Sequence, residues 1–60
     1  MRYGERVEIR LMGHIESADR RRLIDGWAVF VDGREQCPWF PKREAQRQAR
    51  LIAAKLAGEP

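Results

Sequence analysis

The hydrophobic period of this chain changes once, and that change calls for a sheet followed by a helix. Val7, Ile9 and Leu11 alternate with Arg6, Glu8 and Arg10. A period of two is that of a half-buried strand with one wet face. Trp27-Ala28-Val29-Phe30-Val31 gives a second strand, rich in residues that fit a pleated surface. From Lys42 to Ala57 the spacing becomes three and four, and Ala45, Ala49, Ile52, Ala53 and Leu56 form one apolar stripe. Pro41 suits the first position of that helix and Gly58 its stop. The predicted fold class is α+β, a three-stranded antiparallel β-sheet packed on one C-terminal α-helix. It forms a single domain, 1–60, with the sheet in 5–40 and the helix in 42–57.

Asp32-Gly33 is a strong hairpin signal after the second strand. Residues 34–39 then form a third, shorter strand, and Pro38 puts it at an edge because proline cannot donate to the ladder. Two registers compete. A two-residue loop puts Phe40 on the core face and Trp39 on the wet face. A three-residue loop, Val31-Asp32-Gly33, does the reverse and sets Cys37 and Trp39 beside Trp27 and Val29. The second is favoured, because its wet face then reads Arg6, Glu8, Arg10, Ala28, Phe30, Arg34 and Gln36. A slip of one residue would exchange the faces.

Residues 13–26 allow a long hairpin with Ala18-Asp19-Arg20 at its tip, or a short helix capped by Ser17 and ended by Gly26. The hairpin is favoured. Pairing positions that sum to 38 puts Val7 against Val31, Ile9 against Val29, Leu11 against Trp27 and Ile15 against Leu23, all on one face. The predicted core is Val7, Ile9, Leu11, Trp27, Val29, Cys37, Trp39, Ala45, Ala49, Ile52 and Leu56.

A chain of 60 residues has a marginal core and usually leans on a staple or a partner. One cysteine and one histidine exclude an internal disulfide and a Cys/His zinc cage. A homodimer is therefore one expectation. The first residues carry charge rather than an apolar signal core, and no apolar run reaches membrane-spanning length. With a free cysteine, that fits a reducing cytoplasm and no membrane partner. Ten arginines to two lysines, with no Thr or Asn, fit a GC-rich bacterial or phage genome.

Catalysis is not expected. A nucleophile needs an activating base and an oxyanion stabiliser. Ser17 suits a loop or cap, Cys37 a small buried hydrophobe, and His14 has no obvious Asp partner. No carboxylate pair, phosphate-cradling Gly-rich loop or metal spacing occurs, so neither cofactor nor small-molecule substrate is expected.

Charge is more informative. Residues 1–41 hold seven Arg and seven Asp or Glu, so the net +3 lies wholly in 42–60. Arg43, Arg47 and Arg50 are spaced by four and three and form a basic ridge. Such a ridge is often mere solubility, but it also suits phosphates. Arg20-Arg21-Arg22 is the densest run. Between Asp19 and Asp25 it reads as a solvated tip or as a phosphate clamp. The wet sheet face, with Arg6, Arg10, Arg34, Gln36 and Phe30, suits a major groove, where Arg and Gln read base edges and Phe30 meets a thymine methyl. Exposed Phe30 with Met12 would instead mark a protein interface.

Gly26-Trp27-Ala28-Val29-Phe30-Val31, Asp32-Gly33-Arg34 and Trp39-Phe40-Pro41-Lys42-Arg43-Glu44-Ala45 make an aromatic strand, a turn, a short strand ending in an aromatic, and a helix opening with a basic pair before Glu-Ala. Over residues 26–57 this resembles the arm-type N-terminal DNA-binding domain of phage tyrosine-family integrases. The resemblance implies three strands on one helix, with the sheet entering the major groove through Arg6, Arg10, Phe30, Arg34 and Gln36. The family usually caps the helix with Thr, where this chain has Pro41. The same pattern also occurs in small bacterial domains of unknown function.

The expectation is a non-enzymatic module for duplex DNA, an accessory or regulatory protein of bacterial or phage origin. The alternative is a protein-interaction module without nucleic-acid binding, either a homodimer or a phage-encoded inhibitor of a host protein. Phe30, Met12 and a free edge strand would carry it.

Overall fold

The computed structural model describes residues 1–17 and 22–58, with Cys37 by its main chain alone. Three strands and one helix follow in order: β1 (Val7–Glu16), β2 (Leu23–Val31), β3 (Arg34–Phe40) and α1 (Lys42–Ala57). The sheet is antiparallel with spatial order β1-β2-β3. The expected α+β class is what the chain adopts.

The hairpin alternative for residues 13–26 holds, and the helix capped by Ser17 does not. From Val7↔Val31 to Leu11↔Trp27 the pairing is the expected one. Met12 is then an extra residue in β1, a bulge, and beyond it the register moves by one. Ile15 meets Ile24 rather than Leu23, and Gly13 meets Gly26. Ser17 N donates to Arg22 O at 2.7 Å. The expected tip, Ala18-Asp19-Arg20, and with it Arg21, lies outside the described residues.

The β2–β3 loop corrects the favoured register. Asp32 (φ 53°) and Gly33 (φ 80°) are both left-handed, the signature of a two-residue I′ turn. Val31↔Arg34, Phe30↔Glu35 and Val29↔Gln36 follow from it. A further shift brings Phe40 opposite Trp27. It inserts two residues into β3, and an even number leaves the faces as the turn set them. Phe40 therefore faces the helix and Trp39 the open side, the reverse of the favoured arrangement.

Val7, Ile9, Val29, Ala45 and Ala49 form the buried centre between sheet and helix. Tyr3, Trp27, Val31, Phe40, Ile52, Ala53 and Leu56 close around it. Ala45 and Ala49 are 0 % exposed, and their small side chains let α1 lie close to the sheet. Burying Ile9 and Val29 stabilises the fold by about 1.5–3 kcal/mol each. Leu11 does not join this core and is 55 % exposed. It lies on β1 opposite Trp27, level with the point where α1 has only just left β3, and beyond that level the sheet outruns the helix: sixteen helical residues reach about 24 Å, whereas ten strand residues run about 33 Å. Helix α1 starts over Trp27, with Lys42 Nζ 5.3 Å from the ring centroid, and its far end lies beside Tyr3 and Val7. The hairpin beyond Trp27 projects as an arm, and the molecule measures 43 × 19 × 16 Å.

Pro41 is the residue before the helix rather than its first: its ψ of 153° is extended, and Ala45 N donates to its carbonyl at 2.9 Å. Glu44 in the first turn and Lys55 in the last complement the helix dipole. Gly58 N donates to Ala54 O at 3.1 Å and closes the last turn.

Both sheet edges are blunted. Along β1, Met1 and Ile9 exchange hydrogen bonds of 3.0 and 2.8 Å, and Arg2 bridges Glu8. Farther on, the Met12 bulge interrupts β1. Along β3, Pro38 and the two-residue shift do the same. The free edge expected for strand addition is thus reduced beside the helix and remains along the arm, where Gly13–Glu16 and Leu23–Gly26 pair only with each other.

Candidate binding surfaces

The expected DNA-reading face is split in two. Strand β2 alternates regularly, so its even residues lie on the open side and its odd residues under the helix. Arg6, Arg10 and Phe30 fall on the open side. Arg34 pairs with Val31 and Gln36 with Val29, so both lie on the helix side, at the β3 edge. The two-residue turn is the cause, since it sets the parity of β3.

On the open side the charges are paired. Arg6 grips Asp32 with two hydrogen bonds, Nε to Oδ1 at 2.8 Å and Nη2 to Oδ2 at 2.7 Å. Asp32 N also donates to Arg6 O at 2.8 Å, so the turn is tied to the start of β1. Arg10 Nη2 donates to Glu8 Oε1 at 2.7 Å. The guanidinium beside each carboxyl, through its hydrogen bond, holds Asp32 and Glu8 below the usual carboxylate range. Phe30 is only 7 % exposed, with Arg10 over its ring at 4.5 Å from the centroid. It offers neither a thymine contact nor an exposed interface, and it belongs with buried Ala28 to a small second apolar layer.

Trp39 completes that layer. Its Nε1 donates to Glu35 Oε2 at 2.8 Å, and its ring lies against the paired glycines Gly13 and Gly26. No single-strand pattern reports such a contact. The signal was the presence of two glycines in stretches that otherwise favour strand.

On α1 the expected ridge exists. Arg43, Arg47 and Arg50 are exposed on the side away from the sheet. With Pro41, Glu44 and Gln46 they line an open groove of about 650 Å³. Glu44 is 4.0 Å from Arg47, and Arg43 and Arg50 have no carboxylate partner among the described residues. Lys42 lies instead over Trp27.

Arg22, the described member of the arginine run, is exposed at the end of the arm. The helix-side face of the arm carries Leu11, His14, Glu16, Leu23 and Asp25, all exposed. Here His14 does have an acidic neighbour, Asp25, with Nε2 3.9 Å from Oδ1 across the strand pair. Neighbouring Met12 is 38 % exposed.

A smaller cavity of about 230 Å³ lies between Tyr3–Val7 and Ala53, Leu56 and Ala57. The Tyr3 hydroxyl and Trp27 Nε1 are buried without a hydrogen-bond partner among the described residues. No described helix is long and apolar enough to cross a membrane.

No known protein family, curated protein or solved structure matches this chain.

Proposed function

We propose that this protein is a non-enzymatic binding module for duplex DNA, an accessory or regulatory protein of bacterial or phage origin acting in the cytoplasm. It holds the duplex through the outer face of α1. The observation that carries this is the row Arg43, Arg47 and Arg50: exposed, nearly free of carboxylates, and the seat of the chain's net charge. The seven residue steps from Arg43 to Arg50 rise about 10 Å, a length of duplex axis that carries about three phosphates of each strand at one per ~3.4 Å. Such contact neutralises phosphates and releases counterions without reading sequence. This mode departs from the integrase resemblance, in which the sheet enters the groove. Arg6 and Arg10 are committed to Asp32 and Glu8, and Arg34 and Gln36 lie on the other side.

The test is fluorescence anisotropy of a labelled random-sequence duplex at low and then moderate salt. Binding should weaken steeply with salt, and each of Arg43→Ala, Arg47→Ala and Arg50→Ala should reduce the salt slope by about one unit. No binding at low salt, where screening is weakest, removes this reading.

A second reading, a protein-interaction module, is favoured by three leucines left in water. Leu11, Leu23 and Leu51 are 55 %, 73 % and 58 % exposed.

A further inference from the structure

Two surfaces of the monomer end without cover, and they carry opposite charge. One is the helix-side face of the arm, where the sheet outruns α1. It presents Glu16 opposite Leu23, and Asp25 opposite His14, with Leu11 at its inner end. The other is the outer face of α1, with Arg43, Arg47 and Arg50, and Leu51 one turn beyond Arg47.

We infer that a second copy of this chain covers both, the basic face of α1 in one protomer lying on the acidic arm face of its partner. The step in the monomer makes this contact reciprocal. Sheet and helix are two layers over one half of the length, and the arm is a single layer over the other. A two-fold axis at the step brings each helix over the other protomer's arm, so one rotation makes the same contact twice. The spacings agree. Glu16 and Asp25 are diagonal neighbours across β1 and β2, about 7–8 Å apart. Successive ridge arginines lie about 5–6 Å apart. Among the described residues, three of the five exposed large hydrophobic side chains, Leu11, Leu23 and Leu51, fall on these two surfaces. Opposite charges fix the register, and the leucines supply the apolar area.

The pairing follows from the two faces alone. Its consequence for regulation rests on the duplex reading, because the dimer occupies the arginines that would hold DNA. Self-association and duplex binding then exclude one another, and the arm acts as a competitor for the ridge.

Sedimentation over a concentration series, with duplex anisotropy on the same samples, tests this. The wild type should move from the 7.0 kDa chain mass towards twice that value. Glu16→Lys with Asp25→Lys should stay monomeric, as should the charge-neutral Leu11→Ser with Leu23→Ser, which should also bind duplex more tightly, by the inverse of the wild-type monomer fraction. Arg43→Glu, Arg47→Glu and Arg50→Glu together should lose both properties. Combining the two charge-reversed sets in one chain should restore the dimer but not the duplex binding, which also shows that the variants fold. A wild type that stays monomeric at every concentration, or a dimer indifferent to the arm reversal, overturns the inference. A dimer that dissociates as described while neither it nor the arm variant binds duplex overturns the duplex reading and leaves the self-association standing.

Discussion

The indole of Trp39 lies close over Gly26, and with Ile15 it leaves a side chain there little room. A β-carbon built at Gly26 would stand 3.2 Å from Trp39 Cε3 and 2.8 Å from Ile15 Cγ2. At Gly13, across the strand pair, it would meet only the Trp39 ring, at 3.2 Å. Gly26→Ala should therefore destabilise the fold by about 1–3 kcal/mol, the usual range for overpacking. Gly13→Ala should do less. Urea unfolding of both variants measures the difference, and equal, negligible effects would mean that Trp39 does not rest on this strand pair.

Phe30 belongs to the fold rather than to a recognition surface. Phe30→Ala should remove about 3–5 kcal/mol, comparable to the whole stability of a domain this size. Circular dichroism and amide dispersion in an NMR spectrum should then show a largely unfolded chain. An intact fold with altered binding would place Phe30 back at a surface.

The turn makes a separate prediction. Gly33 has φ of 80°, so Gly33→Ala forces a β-carbon into the left-handed region at about 1–2 kcal/mol. Asp32→Asn should leave the turn intact, since Asn tolerates that region. Thermal melts of the two variants separate backbone strain from loss of the ion pair.

Acid should loosen this same corner. Asp32 and Glu8 titrate below their ordinary values, each chiefly through its hydrogen bond to an arginine, Arg6 and Arg10 respectively. A carboxyl depressed in the folded state contributes stability above its unfolded pKa. That contribution is lost as pH falls through the folded value. Denaturant midpoints should thus fall as pH drops below the ordinary carboxylate range, and Asp32→Asn should flatten part of the slope. An identical slope in the variant would show that the Arg6–Asp32 pair is not populated in solution.

Much of this architecture was legible in the residues. Val7, Ile9 and Leu11 against Val31, Val29 and Trp27 fixed the hairpin register, because one residue's slip would expose the whole set. The alanine stripe fixed the face of α1. Two irregularities were not legible. The bulge at Met12 comes with the Gly13–Gly26 pair, whose partner, Trp39, lies on another strand. The turn is not legible because Trp39 and Phe40 compete for one core position, and hydrophobicity alone does not rank them. The left-handed Asp32-Gly33 pair, gripped by Arg6, settles it for Phe40. That parity sets Arg34 and Gln36 on the face opposite Arg6 and Arg10, so the sheet has no single basic face. The ridge survived because a helix face depends only on spacing within α1.

The way the sheet ends at both sides has a consequence for how the protein behaves when crowded. Residues 1–3 occupy part of one margin, Met12 breaks the rest, and Pro38 spoils the other. Beside the helix little continuous backbone remains for a further chain to copy, whereas the arm keeps both of its margins, so any added strand would join there.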